Sequence, residues 1–338
     1  LKMYLAGPLP PGWGGDAYGH LFKIWKLHSH GFSPWIKDWY SGYPFLRFYP
    51  PLSYFMAWAA SIPLGDPALA YKVIITLSLV IASLSTYLLG RELGFSEIPS
   101  IIMGISFSIN PWLFRMISPE GNFPRVVGAS LAPLSIACFV RLAKERDSRS
   151  ICALPIAALP LTHHSLAVVV APLAGFLWLT ALVDETSGLE ELALRLKNTL
   201  STVAWAFIIT SFWMIPFILE RNLAHFLNEN SIDYLYMRQS VPLVAPFIDS
   251  GPCSFYQGST RMLLAFLSLP ASIFALRRSQ EADTRVLSTL ISSFLVLVSL
   301  MLSLGAKGPV PWLNRLPLLS MIPPYRWLDL TQLSPAVA

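Results

Sequence analysis

The sequence predicts an all-α integral membrane protein, a polytopic helical bundle with about eight transmembrane helices and with interfacial or re-entrant helices in its first external loop. Three observations predict this class. Of the 338 residues, 54% are hydrophobic and only 13% are charged, whereas soluble domains are about 25% charged. The mean hydropathy is +0.55. Apolar runs recur along most of the chain, and helices satisfy their own backbone polar groups in lipid.

Eight apolar runs are long enough, or nearly long enough, to cross a bilayer, which takes about 20 residues. The weakest, 151–162, is expected to reach part way across or to continue past His163 and His164. A shorter run at 51–64 starts after Pro50, and we interpret it as an interfacial or re-entrant helix because proline is tolerated at helix starts. The eight runs are 68–90, 98–114, 126–143, 151–162, 165–183, 200–219, 262–276 and 286–304.

The density of positive charge in the connecting loops predicts the orientation of the chain. Four loops, 91–97, 141–150, 184–199 and 277–285, are about three times denser in Lys and Arg than the other loops, and cytoplasmic loops carry such an excess. We therefore expect the other loops to face outward from a prokaryotic plasma membrane. The excess rests mainly on Arg141, Lys144, Arg146, Arg149, Arg277, Arg278 and Arg285. The net charge of +5 does not indicate a nucleic-acid-binding protein, because these basic residues flank apolar runs.

This topology divides the chain into three regions. Residues 1–66 are predicted to form the first external loop, 67–305 the transmembrane bundle, and 306–338 an external C-terminal segment. Because Leu1 starts outside, we expect a helix to precede it, and we expect the chain to lack residues at both ends.

The first candidate for chemistry is Asp16, which follows Gly14 and Gly15 and opens a helical stretch that carries His20. An aspartate at this position is typical of a helix N-cap, where its carboxylate accepts hydrogen bonds from free backbone amides. It is also typical of a carboxylate that accepts a proton or holds a metal at the outer membrane face. The two interpretations are partly compatible, and the sequence leaves both open.

The second candidate is Glu120, which lies between Arg115 and Arg125 in a short turn between two apolar runs. One acid between two bases is compatible with a surface ion-pair set, which contributes little to stability. The turn is nevertheless assigned to the same membrane side as Asp16. Chemistry by a pair of carboxylates requires this arrangement.

The third candidate is the adjacent pair His163 and His164 between two short apolar runs. Ionisable groups at membrane depth are candidates for function, and histidines also serve as hydrogen-bonded packing residues. Adjacent residues point in different directions on a helix, so the pair is not a metal signature.

Two arginines are candidates for binding phosphate. Arg326 stands between Tyr325 and Trp327, and Arg47 lies in another aromatic stretch. Arginine flanked by aromatic residues is typical of a membrane-edge anchor, and the guanidinium group also suits bidentate phosphate binding. There is no P-loop, Rossmann fingerprint, HExxH or GxSxG motif, which removes the usual apparatus for soluble nucleotide or hydrolase chemistry.

Taken together, these motifs resemble a family of multi-spanning membrane proteins labelled "6-pyruvoyl-tetrahydropterin synthase related". The label is misleading, because nothing in the sequence resembles that soluble synthase. Members of the family resemble GT-C glycosyltransferases, the class of oligosaccharyltransferase catalytic subunits and protein O-mannosyltransferases. The resemblance is carried by Gly14-Gly15-Asp16, His20, Trp39-Tyr40, Gly42-Tyr43-Pro44, Phe48 to Leu52, Lys72, Arg91 to Gly94, Arg115, Pro119-Glu120, Ala132-Pro133-Leu134, His163 or His164, Phe212-Trp213 and Tyr325-Arg326-Trp327.

The resemblance implies a catalytic acid at Asp16 and a second acid at Glu120, which would act directly or through a divalent cation such as Mg²⁺ or Mn²⁺ held by both. It also implies a polyprenyl-phosphate-linked sugar donor, with transfer to an unidentified acceptor at the outer face. Arg326, with Arg47 or Arg115, would bind the lipid phosphate, and His20 and His163 would line the site. Glu120 stands in Pro-Glu-Gly-Asn rather than in the Asp-x-Glu of oligosaccharyltransferases, which puts metal dependence in question.

Two functional hypotheses follow. The first is a GT-C-like membrane glycosyltransferase, whose partners are the lipid-linked donor and the membrane lipids. The second is a non-catalytic polytopic protein, a transporter or scaffold that keeps the same fold. A transporter favours inverted repeats with polar sites at the midplane. The sequence has no apparent repeat and its polar motifs cluster in the outer loops, which favours the enzyme.

Overall fold

The computed structural model describes residues 15–39, 41–145, 150–220, 240–248, 255–278, 284–309 and 322–333, together with Leu9, Leu223 and Trp312. Seven helical stretches of these residues are long and apolar enough to cross a membrane, and one of them, Glu97–Ile117, comprises two consecutive helices. The chain is thus an all-α, multi-pass integral membrane protein, as predicted. Its elements are α1 (Gly15–His30), β1 (Trp35–Ile36), β2 (Tyr43–Pro44), α2 (Leu52–Leu64), α3 (Pro67–Glu92), α4 (Glu97–Ser108), α5 (Pro111–Ile117), α6 (Phe123–Lys144), α7 (Ala153–Glu185), α8 (Leu189–Glu220), α9 (Ser259–Arg278), α10 (Thr284–Ser303) and α11 (Asp329–Leu333), with short 3₁₀ turns at Ser150–Cys152, Gly305–Lys307 and Pro324–Leu328.

The first region contains two helices that precede the bundle. After α1, the strands β1 and β2 form a two-residue antiparallel pair, with Trp35 opposite Pro44. The helix α2 matches the apolar run predicted to be interfacial, and it is too short to count among the seven candidate spans. The indole N–H of Trp213 in α8 donates to the backbone oxygen of Leu46 at 3.0 Å. This bond ties the first region to the bundle.

The apolar run predicted at 98–114 is divided into two helices, α4 and α5. Asn110 caps α5 through its side-chain oxygen, which accepts from the backbone N–H of Trp112 at 2.8 Å, and Pro111 occupies the first helical position. Both choices are typical of helix starts. Asn110 and Pro111 therefore determine where α4 and α5 are divided.

The helix α6 lies at the centre of the bundle. Of its most apolar stretch, 78% is buried, compared with 22% for α8 and 17% for α9. Large apolar side chains such as Trp205, Phe212 and Leu263 are exposed on these two outer helices. Since lipid is the solvent for such a surface, α8 and α9 are placed at the periphery of the bundle.

The helix α7 contains a reversal at His163, whose backbone angles (φ −156°, ψ 93°) are not helical. Before this point the chain runs antiparallel to α6, because Ser135 donates to the backbone oxygen of Pro155 at 2.7 Å, while Gly128, further toward the start of α6, lies against Thr162 and His163. After it, residues 164–185 run alongside α6 toward its C-terminal end. The predicted runs 151–162 and 165–183 are thus two antiparallel arms on either side of His163, and the seven candidate spans count both arms together as the single stretch Ala153–Glu185.

The basic loops gather at one end of the bundle, which we call the basic end and define by residues 91–97, 141–145 and 184–195. Arg195 donates to the backbone oxygens of Ala143 and Glu185, and Arg141 lies 3.8 Å from Glu92. These contacts join the ends of α3, α6 and α7 and the start of α8. The predicted basic residues Arg146 and Arg149 lie outside the described residues.

The outer motifs meet at the opposite end, which we call the site end and define by residues 15–20, 118–125, 163–166 and 322–333. The helix α6 has 22 residues, so these two ends are separated by about 33 Å at 1.5 Å per residue. The predicted separation of Asp16, Glu120 and Arg326 from the basic loops agrees with this geometry.

Candidate functional site

Asp16 lies in the first turn of α1, where it is the second residue of the helix. Asp16 therefore lies inside the described helix, and the N-cap interpretation is wrong. Its neighbour Ala17 is fully buried while Asp16 itself is exposed. A carboxylate in the first turn interacts favourably with the positive end of the helix dipole, so the ionised form is compatible with this position.

A glycine contact brings α1 against the turn that carries Glu120. Gly121 has φ +67°, and a Cβ atom built on it would lie 2.5 Å from the Cβ of Ala17 and 2.8 Å from its backbone nitrogen. Only glycine permits both this conformation and this approach. The predicted convergence of the Asp16 and Glu120 segments is therefore present in the backbone packing.

The carboxylate of Glu120 is held by two arginines. Its Oε1 lies 3.2 Å from Nη2 of Arg115, and its Oε2 lies 3.0 Å from Nη1 of Arg125. The side chain of Arg125 is completely buried and that of Glu120 is 16% exposed. Glu120 is thus engaged at both oxygens, in a cluster that is far less solvated than a surface ion pair.

The second partner of Arg125 is Asp329, at the start of α11. The Nη2 of Arg125 lies 2.5 Å from Oδ1 of Asp329, and its Nε donates to Oδ2 at 3.2 Å. The indole N–H of Trp112 donates to the same Oδ1 at 2.7 Å. Sequence reasoning did not identify Asp329, Trp112 or the burial of Arg125. Arg125 and Asp329 are 204 positions apart in the chain, so no local pattern indicates that they pair.

Aromatic rings enclose the arginines of this cluster. The guanidinium carbon of Arg115 lies 4.6 Å from the ring centre of Trp112 and 4.4 Å from that of Phe255. Arg125 lies 5.4 Å from the rings of both Trp112 and Tyr325. Such contacts stabilise cations more strongly when water is excluded. Tyr325 thereby connects the cluster to Arg326, the next residue.

Arg326 is in contact with His163 at the reversal of α7. The Nη1 of Arg326 lies 2.9 Å from Nε2 of His163, and the Nδ1 of His163 accepts from the backbone N–H of Leu166 at 3.1 Å. A neutral imidazole whose Nδ1 accepts carries its proton on Nε2. Nη1 of Arg326 is a donor in every state, so Nε2 of His163 accepts from it in the other tautomer, in which Nδ1 carries the proton.

Aromatic side chains pack around His20 of α1. Nδ1 of His20 is hydrogen-bonded to the hydroxyl of Tyr54 at 2.7 Å, and the His20 ring lies 5.7 Å from that of Tyr49. Burial raises the pKa of Tyr49 to about 12, and among its charged neighbours Arg326 lowers it and Asp16 raises it. Tyr49 therefore lies within electrostatic range of both predicted functional groups.

Burial also lowers the pKa of two basic groups of α1. It lowers the pKa of His20 to about 3, with a further contribution from Lys23. It lowers the pKa of Lys23 to about 8, against the opposite effect of Asp16. The ammonium group of Lys23 lies 4.7 Å from the ring centre of Trp39. Sequence reasoning did not single out Lys23.

Two of the predicted groups lie apart from this arrangement. Arg47 is half-exposed and its Nε lies 3.0 Å from Glu220 at the end of α8. His164 packs its ring 5.3 Å from that of Phe217, on the side of α8. The role of Arg47 as a phosphate ligand stays a prediction.

The side chains at this end do not fit the predicted divalent cation. Such ions are held by free carboxylates, whereas both oxygens of Glu120 and both oxygens of Asp329 face guanidinium groups. Among the residues that the structure describes, no group of three or more His, Cys, Asp or Glu side chains is placed to hold a metal ion. Asp16 is left as the only carboxylate of this set that no described arginine engages.

The fold is similar to that of solved oligosaccharyltransferases from Archaeoglobus fulgidus. The apo enzyme superimposes with a TM-score of 0.54 and 13% sequence identity, over 99% of this chain and 47% of that chain. The archaeal oligosaccharyltransferase AglB in complex with an inhibitory peptide and a dolichol-phosphate gives a TM-score of 0.55 at 12% identity, again over 99% and 47% of the two chains. The chain thus spans about half the length of these enzymes. At this identity the likeness concerns the fold, and it confirms the predicted GT-C-like architecture.

The sequence comparisons identify the family. No curated protein matches the chain significantly. A family model described as "6-pyruvoyl-tetrahydropterin synthase related domain; membrane protein" matches residues 46–338, which is most of the chain. The protein is therefore a member of the 6-pyruvoyl-tetrahydropterin synthase related family of membrane proteins.

Proposed function

We propose that the protein is a membrane glycosyltransferase that transfers a sugar from a polyprenyl-phosphate-linked donor to an acceptor at the outer membrane face. One observation carries the proposal: Arg326, whose Nε is buried without a hydrogen-bond partner, lies against His163 at the same end of a GT-C-like bundle as the exposed carboxylate of Asp16. A sugar transfer needs these two functions, a group that accepts a proton and a group that binds the leaving phosphate.

In the proposed reaction, the bond between the anomeric carbon and the phosphate oxygen breaks, and its electron pair stays on the phosphate. The acceptor heteroatom forms the new bond to the anomeric carbon. It gives its proton to the carboxylate of Asp16, which later releases the proton to water. The products are the glycosylated acceptor and the polyprenyl phosphate.

Arg326 is assigned to the leaving phosphate because its positive charge stabilises the negative charge that develops on that group. As the bond to the sugar breaks, negative charge grows on the phosphate, and a fixed guanidinium group then interacts more strongly with the transition state than with the ground state. The fork geometry of arginine suits two phosphate oxygens. His163 lies beside it, with Nε2 at 2.9 Å from Nη1 of Arg326.

Glu120 is assigned a positioning role, because its carboxylate is occupied by Arg115 and Arg125. It holds the turn against which Ala17 packs, and this packing positions the start of α1. The dolichol-phosphate complex of the similar archaeal oligosaccharyltransferase supports a lipid-phosphate ligand for this chain as well.

The test compares two aspartate variants at the same end of the bundle. In a deletion strain, the polyprenyl-linked glycans and surface glycoconjugates are profiled after complementation with the wild type, Asp16→Asn or Asp66→Asn. Asp66 is an exposed cap of α3 whose side chain accepts from the backbone N–H of Ala68 at 2.8 Å, a role that asparagine also fills. We expect Asp16→Asn to leave the lipid-linked donor untransferred and Asp66→Asn to restore transfer.

Equal complementation by the two variants, at equal membrane levels, would contradict the catalytic role of Asp16. It would favour the non-catalytic hypothesis, in which the fold serves as a transporter or scaffold.

A further inference from the structure

We infer that the transfer proceeds without a divalent cation and that the donor carries a single phosphate, with Arg326 as the cation that neutralises it. The inference rests on the proposed function and specifies its substrate class. It follows from the pairing of charges at the site end, which leaves one cation, Arg326, without a carboxylate in contact among the described residues.

Four of the charged groups at this end neutralise one another. Arg115 and Arg125 supply two positive charges, and Glu120 and Asp329 supply two negative charges, with every carboxylate oxygen within 3.2 Å of a guanidinium nitrogen. Buried charges persist only when they are paired in this way. Removing Glu120 from the set to bind a metal would leave the fully buried Arg125 and its neighbour Arg115 with an excess of positive charge.

Arg326 is the cation that this set does not neutralise. Its contacts are the neutral ring of His163 and, at 5.9 Å, the ring of Tyr325. Its Nε is buried without a hydrogen-bond partner, and no carboxylate among the described residues lies within 4.0 Å of it. A buried donor without an acceptor is costly. One anion placed against Arg326 would give Nε the acceptor that it lacks.

The number of negative charges on the donor distinguishes a monophosphate donor from a diphosphate donor. The sugar-linked phosphate of a monophosphate donor is a phosphodiester, which carries a single negative charge and matches one arginine. During transfer a proton neutralises Asp16 while the leaving phosphate gains one negative charge, so the total charge of the site does not change. A diphosphate donor brings a further negative charge. Carboxylate-bound Mg²⁺ commonly supplies the compensating charge for such groups, and Asp16 alone is available to hold it.

Lipid binding measured on the purified protein in nanodiscs tests this inference. The probes are polyprenyl monophosphate and polyprenyl diphosphate, each in EDTA and each with added Mg²⁺ or Mn²⁺. We expect the monophosphate to bind in EDTA with an affinity that the metals do not improve, and the diphosphate to bind more weakly under all conditions. Arg326→Lys should weaken monophosphate binding roughly tenfold, the loss of one bidentate charge-assisted contact.

A matched control separates this effect from a general loss of positive charge or of folding. Arg91→Lys makes the same chemical change at the basic end, where Arg91 is exposed and donates to the backbone oxygen of Phe95 at 2.8 Å, and it should leave binding unchanged. If Arg326→Lys proves unstable, His163→Gln replaces it, because the glutamine amide keeps a donor and no positive charge is lost. Thermal stability is recorded for every variant.

The outcomes distinguish the inference from the proposed function. Tight diphosphate binding that needs Mg²⁺ or Mn²⁺ would overturn the inference and leave the proposed function standing. Binding of neither lipid would overturn both. Unchanged monophosphate binding by stable forms of both Arg326→Lys and His163→Gln would overturn the assignment of the phosphate to this pair.

Discussion

Gly121→Ala is expected to separate the two segments of the candidate site. The packing of Ala17 against Gly121 holds the start of α1, and with it Asp16, beside the turn of Glu120. A side chain at residue 121 would force either the turn or α1 to move. The substitution therefore tests the geometry on which the proposed chemistry depends without removing any charged group.

The magnitude follows from two costs. Gly121 has φ +67°, and an alanine in this left-handed conformation costs about 1–2 kcal/mol. The added Cβ would also lie 2.5 Å from the Cβ of Ala17 and 2.8 Å from its backbone nitrogen, and such overpacking costs about 1–3 kcal/mol. The free energy of unfolding is thus expected to fall by about 2–5 kcal/mol if the segments stay in contact. A smaller loss is expected if α1 moves away, in which case glycan transfer is lost instead.

Gly175→Ala is the matched control. Gly175 is exposed in the second arm of α7, and a Cβ built on it meets no atom within 4 Å. In a helix this substitution stabilises by up to about 1 kcal/mol. Chemical unfolding in detergent, followed by circular dichroism, and complementation of the deletion strain are measured for both variants. Equal stability and equal transfer for Gly121→Ala and Gly175→Ala would refute the proposed contact.

Two further predictions concern buried groups at the same end. Asp329→Asn removes one partner of the buried Arg125, so the free energy of unfolding should fall by about 3–5 kcal/mol; a loss below about 1 kcal/mol in chemical unfolding would place this pair among ordinary surface pairs. His20 takes up a proton near pH 6.5 when the protein is unfolded but only near pH 3 when it is folded. Between these pH values the unfolded state binds more protons, so the stability of the wild type should fall as the pH is lowered from 6.5 toward 3. His20→Gln keeps a hydrogen-bonding group beside Tyr54 and should lack the part of the pH dependence that His20 causes. Identical profiles of thermal stability against pH for the wild type and this variant would count against a buried neutral His20.

The sequence predicts the class of the fold well because lipid imposes strong constraints on composition. Long apolar runs and the distribution of Lys and Arg are sufficient to locate the helices and to separate the basic end from the site end. The two runs on either side of His163 have the expected boundaries, and the non-helical backbone at His163 separates them into two arms. The interruption between α4 and α5 was not predicted, although Asn110-Pro111 is a recognisable helix start.

The site is predicted less completely, because its contacts join distant parts of the chain. Asp16, Glu120 and Arg326 stand out through their glycine, arginine and aromatic neighbours, and the resemblance to a family implies their roles. Nothing local to Asp329 indicates that it pairs with Arg125, 204 positions away. The engagement of Glu120 by two arginines is likewise a result of packing, so the sequence could propose a metal pair that the side chains do not fit.

The most direct test of the central claim is a cryo-electron microscopy structure of the protein in nanodiscs with bound polyprenyl monophosphate. The account predicts density for the phosphate within hydrogen-bond distance of Arg326 and His163, on the side that faces Asp16, and without a metal ion between them. Phosphate bound at the basic end, beside Arg141 or Arg195, or bound through a metal ion at Asp16 and Glu120, would contradict it.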